Sequence, residues 1–149
     1  MGVERAVTAP NPEFPVVCIA ANGFVCSVSD GQSLGSCTPT ALRSGYYDRL
    51  EVIDTAGQVF SVLGAREVPR PDEKLVTHLW RRLQGAHIRV DLELEAREQL
   101  PLSGVQDRVC EAMAKLPAQW EAVEDLSVAQ KRVRRARSIR EVIDMFAEE

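Results

Sequence analysis

The chain is poor in the signatures that mark enzymes and membrane proteins. It contains no G-x-S-x-G elbow, no Walker phosphate loop, no dinucleotide fingerprint and no H-E-x-x-H pair, which removes the reactions those motifs carry. "GQSLGS" has glycines but lacks the following lysine and helix of a phosphate cradle, so it reads as a connecting loop. The best apolar run, from Pro15 to Ala21, falls far short of the roughly 20 residues of a spanning helix. The first residues hold no apolar signal segment, and Ala6 stands where a myristoylation motif requires Ser or Thr. The expected compartment is cytoplasmic. No two of the four cysteines show Cys-x-x-Cys spacing, so neither a zinc site nor a redox motif is written into the chain.

What is present describes an ordinary globular domain. The 149 residues, 45% hydrophobic and 27% charged, suit one domain spanning 1–149 that buries roughly 70% of its extended surface. Residues 1–13 read as a loose lead-in. The net charge is −4, unevenly placed: residues 71–126 hold 11 acids and 7 bases, whereas 127–149 hold 4 acids and 6 bases.

"VVCIAANGFVCSV" reads as a hairpin turning at Asn22-Gly23. A two-residue turn there pairs Ile19 with Cys26 and sets Cys18 against Ser27, with Cys18 and Cys26 on opposite sides of the sheet. Buried, reduced thiols are expected. "TPTALRSG" has short-helix grammar, with Thr38 as cap, Pro39 in the first turn and Gly45 as the stop. "YDRLEVID" and "QVFSVLGAREV" form a second hairpin around "TAG". Residues 71–85 show a helical apolar face of Leu75, Val76, Leu79, Trp80 and Leu83. "HIRVDLELEAR" alternates strictly, predicting one long strand with Ile88, Val90, Leu92 and Leu94 inward and Arg89, Asp91, Glu93 and Glu95 in water.

The last third is helical. Capping-box spacings at Ser103/Gln106 and Ser138/Glu141 open two of its helices. Strands first and helices last predict an α+β fold. Its antiparallel sheet has about five strands, two hairpins plus the long strand, with helices packed on one side.

Few residues invite chemistry. Asp91, Glu93 and Glu95 lie about 7 Å apart along one strand face, but an open face excludes no water and offers no further ligand. A hydrolase would need Cys37 or Cys110 to meet a histidine, His78 or His87, in a closed pocket. No catalytic residue, metal or cofactor is expected. The one concentrated charge is "QKRVRRARSIR", residues 130–140, with six bases. It invites an alternative reading, a small nucleic-acid-associated regulator using 131–140. Yet no aromatic interrupts the run, and Ser138 splits it between the end of one helix and the cap of the next. Its charges then complement a helix dipole and meet solvent.

Taken together, "ALRSGYYDRLEVIDTAGQVFSVLGAREV", "IRVDLELE" and the closing "ARSIREVIDMFAEE" resemble small immunity proteins of bacterial polymorphic toxin systems. Those systems deliver toxins by contact-dependent or type VI secretion routes. The resemblance implies a non-enzymatic cytosolic α+β domain whose partner is one cognate toxin. A nuclease toxin has a basic cleft, which an acidic face would attract. The candidate contact residues are Asp91, Glu93 and Glu95; then Tyr46, Tyr47 and Asp48; then Glu121, Glu124 and Asp125.

Overall fold

A computed structural model describes residues 11–68, 88–121 and 124–147. Among these residues, six strands form one antiparallel sheet: β1 Val16–Ile19, β2 Val25–Val28, β3 Ser36–Cys37, β4 Glu51–Ile53, β5 Gln58–Val68 and β6 Ile88–Gln99. Their order is β2-β1-β4-β5-β6-β3. Six helices accompany them among the described residues: α1 Gly31–Leu34, α2 Pro39–Arg43, α3 Leu102–Lys115, α4 Ala118–Glu121, α5 Leu126–Arg134 and α6 Ile139–Asp144. The antiparallel α+β fold read from the sequence is the one observed. The helix expected over 71–85 lies outside the described residues, as do His78 within it and His87 at the start of the long strand. None of the helices described is long and apolar enough to cross a membrane.

Both faces of the sheet are packed. Val17, Ile19, Ile53 and Val59 point to one side, where Val105, Val109 and Met113 of α3, Val133 of α5 and Ile143 of α6 complete a core. Val16, Cys18, Val52, Phe60 and Val62 point to the other, where Leu34, Tyr47 and Leu50 close a second core. The C-terminal helices occupy one side, as expected, but α1 and α2 lie with the second core. This arrangement explains "VVCI". β1 lies between two other strands and between two cores, so all four residues are buried, and a strand covered on both faces has no reason to alternate.

The first hairpin departs from the two-residue turn expected at Asn22-Gly23. The Ala20 N–H donates to the Phe24 carbonyl and the Gly23 N–H to the Ala20 carbonyl, both at 2.9 Å. Gly23 takes φ +97°, a left-handed conformation that closes longer hairpin loops. The register therefore moves by one residue, pairing Ile19 with Val25 and Cys18 with Cys26. Burial accounts for the choice. Pairing residues share a face, and this register sends Val25 with Ile19 into the helix-side core, where the expected one would have sent Cys26. Close approach of α3 also demands the glycine, since a Cβ at Gly23 would lie 2.6 Å from the Ala112 carbonyl oxygen.

Elsewhere the local grammar holds, with two exceptions. Thr38 accepts from the Ala41 N–H at 3.2 Å and Ser138 from the Glu141 N–H at 3.1 Å. Asp54, Gly57 and Gln58 close the second hairpin. The segment read as a plain loop contains α1, a single turn capped by Asp30 through the Ser33 N–H, and then the two-residue β3, which pairs with β6. α3 begins at Leu102 after Pro101, with no side-chain cap, so Ser103 and Gln106 do not form the expected box.

Candidate functional site

β5 and β6 form a two-stranded ribbon that carries the candidate strand face. On β6, Ile88, Val90, Leu92 and Leu94 join the second core, while Arg89, Asp91, Glu93, Glu95 and Arg97 are exposed. The alternation seen in the sequence is thus an alternation of environment.

The register assigns the neighbours of each acid. Arg66 lies opposite Asp91 and Ser61 opposite Glu95. Between them a bulge interrupts the ladder, since Val62 pairs with Leu94 but Gly64, not Leu63, pairs with Glu93. The extra residue is Leu63, which belongs to the Glu93 side of the ribbon and is 51% exposed.

The face is not a bare acidic row. Arg97 bonds Glu95 at 2.9 Å and Ser61 Oγ at 3.1 Å, and Arg66 approaches Asp91 to 3.8 Å. These exposed pairs contribute about 0–1 kcal/mol each. Their effect is on sign: three carboxylates stand among Arg66, Arg89 and Arg97, with an uncovered leucine between them.

The other two candidate groups lie elsewhere. Tyr47 is 3% exposed and donates its hydroxyl to the Leu34 carbonyl at 2.8 Å. It is a second-core residue. Tyr46 is half-buried, edge-on to Tyr47 at 5.0 Å between ring centroids, and only Asp48 of this trio is exposed. Burial pushes both tyrosine hydroxyls well above their usual range. Glu121 and Asp125 are exposed at the junction of α4 and α5. Glu124 beside them accepts both guanidinium nitrogens of Arg132 at 2.8 Å. The tyrosines belong to one core, and Trp120 and Leu126, flanking the junction acids, pack on the other. The three groups therefore do not converge on one site.

All six cations of the basic run are exposed, and three of them pair with acids of this chain. α5 ends with Lys131, Arg132 and Arg134 in its last turn, the placement the dipole favours. Arg132 is held by Glu124, Arg134 by Asp107 at 2.8 Å, and Arg140 by Asp144 at 3.2 Å.

A second cluster was not legible in the sequence. Cys18 and Cys26 face each other across β1 and β2. The Cys26 sulfur lies 3.6 Å from the Tyr46 hydroxyl. None of the four cysteines is in a disulfide. A hydrogen bond to Cys26, then burial, holds the Cys18 thiol well above the usual cysteine range, and burial raises Cys37 and Cys110. Only the observed hairpin register brings the first two together; the register expected from a turn at Asn22-Gly23 sets them on opposite faces.

Among the described residues, no group of three or more His, Cys, Asp or Glu side chains is arranged to hold a metal ion. No family model, curated protein or solved structure matches the chain.

Proposed function

We propose that this chain is a non-enzymatic immunity protein that binds and neutralises one secreted bacterial toxin in the cytosol. In this reading the outer face of the β5–β6 ribbon makes the contact. The observation that carries the reading is Leu63, an exposed leucine on a bulge, set among Asp91, Glu93, Glu95 and their arginines. An apolar centre inside a charged rim is the anatomy of a protein-binding patch. Bulges re-aim side chains and end pairing, which suits a strand pair that presents a surface. The stretches that resemble immunity proteins supply β4, β5, β6 and α6, so the resemblance runs through the folded body.

The mixed signs refine the partner. A row of bare acids would attract any basic protein. Carboxylates already placed beside arginines favour a partner that supplies its own cations in register, as a nuclease cleft does. The nucleic-acid alternative gains no comparable support, because Arg132, Arg134 and Arg140 already serve carboxylates of this chain.

Co-expression with the toxin domain encoded beside this gene tests the proposal. The chain should restore growth and co-purify with the toxin. Failure of both would sink the function. Charge reversal of Asp91, Glu93 and Glu95 together with Leu63→Asp should weaken the complex at least tenfold. A wild-type affinity in that variant would keep the function but move the interface off this ribbon.

A further inference from the structure

We infer that Cys18 and Cys26 form a reversible thiol–disulfide couple that closes across the β1–β2 hairpin when the protein meets a low-molecular-weight disulfide. The two residues are direct partners in an antiparallel ladder. Facing residues of such a ladder have Cα atoms about 4.5–5.5 Å apart, within the roughly 4.4–6.8 Å that a disulfide spans. Both side chains belong to the same face, since Cys18 lies in the second core and Cys26 packs at its margin. The bond can therefore form without repairing the strands.

The environment sets the order of events. β2 is the first strand of the sheet, and Cys26 on it is only partly buried, whereas Cys18 is 0% exposed. A small disulfide reaches Cys26 first. Tyr46, whose hydroxyl is 3.6 Å from the Cys26 sulfur and stays protonated because of burial, is placed to donate to a thiolate there.

The Cys26 thiolate attacks one sulfur of the incoming disulfide, forming a mixed disulfide and releasing one thiolate. Cys18 then gives up its proton and attacks the Cys26 sulfur, expelling the second small thiolate. The protein dithiol loses two electrons, the small disulfide gains them, and the two protons leave on the released thiols.

The other cysteines are poorly placed to compete. Cys37 is on β3, which pairs with β6 alone among the described strands. Cys110 is on α3, in the opposite core.

The test is oxidation of the reduced full chain with oxidised glutathione across a series of reduced-to-oxidised ratios, followed by acid quench, alkylation and mass spectrometry. Chymotryptic cleavage after Phe24 and Leu34 puts Cys18, Cys26 and Cys37 on different fragments. The alkylated thiols should fall from four to two, with Cys18 and Cys26 fragments joined and Cys37 and Cys110 still alkylated. Because Cys18 is held protonated, closure should quicken as pH rises, with a glutathione adduct on Cys26 as the transient. Cys26→Ser should leave the other three thiols free, and Cys37→Ser should leave the bridge intact. A bridge to Cys37 or Cys110, a glutathione adduct that never resolves, or four thiols persisting at every ratio would each overturn the inference.

Discussion

The Gln106 side-chain amide donates to the Ala136 carbonyl 3.1 Å away, joining the middle of α3 to the chain just beyond α5. The same nitrogen lies 3.1 Å from the Val133 carbonyl and 3.2 Å from that of Arg134. The last carbonyls of a helix have no partner within it. Here a buried glutamine from the neighbouring helix satisfies them, so the geometry between α3 and α5 is set by polar bonds as well as by packing. Gln106→Leu should remove the donor and leave buried oxygens unpaired, lowering stability by about 1–3 kcal/mol. Urea titration reads this as a lower midpoint at unchanged slope. A midpoint equal to wild type would mean that water replaces the amide.

Gly57 makes a sharper case. Its φ is +84°, and an added Cβ would lie 2.2 Å from the Leu100 carbonyl oxygen. The Leu100 N–H donates to the Gly57 carbonyl at 2.8 Å, so neither backbone can yield freely. Gly57→Ala should lose about 2–4 kcal/mol, combining left-handed strain with overpacking. Gly64→Ala is the control. Its Cβ meets nothing closer than Glu93 Oε1 at 3.7 Å, and its effect should stay within about 1 kcal/mol. Equal losses at the two positions would refute this account.

These contacts also show where sequence reading stops. Five of the six described strands, the Thr38 and Ser138 caps and the alternation of β6 are legible because each is enforced by neighbours within a few residues, whereas the two-residue β3 is defined only by its pairing with distant β6. Gln106 looked like half of a capping box because its partner in space is some thirty residues away. Cys18 and Cys26 looked divergent because the register of β1 and β2 depends on which residue α3 buries. Tyr47 looked like an interface anchor until the Leu34 carbonyl claimed its hydroxyl. The long strand's acids were visible as a row, but their arginines come partly from β5, across the sheet, and Leu63 surfaces only through a bulge that no local pattern announces.

The buried acids of the second core predict an alkaline limit. Tyr46, Tyr47, Cys18 and Cys37, and Cys110 on the other face, all hold their protons more tightly folded than free. Raised values mean that stability is intact below the unfolded values and is lost as pH climbs toward the folded ones. Losses should therefore begin above about pH 8.5 and steepen past about pH 10, where unfolded cysteine and tyrosine ionise. Thermal melts across this range should fall progressively. The tyrosinate absorbance of the two tyrosines should appear together with unfolding. A smooth tyrosinate titration near pH 10 in folded protein would show that the rings are reached by water.

The basic segment predicts a negative result with a definite form. A nucleic-acid arm gains its affinity by releasing counterions from phosphates, so binding falls steeply with salt. Three of the six cations in 131–140 are already neutralised by Glu124, Asp107 and Asp144, and engaging DNA through them would break those pairs. Duplex DNA should therefore bind no more tightly than the weak end of nonspecific binding, about 10⁻⁴ M at physiological salt. Replacing Lys131, Arg135 and Arg137 with Gln should leave toxin neutralisation unchanged. Fluorescence anisotropy with a labelled duplex provides the check. Micromolar binding that falls with salt and vanishes in the triple variant would transfer function from the strand ribbon to the end of α5.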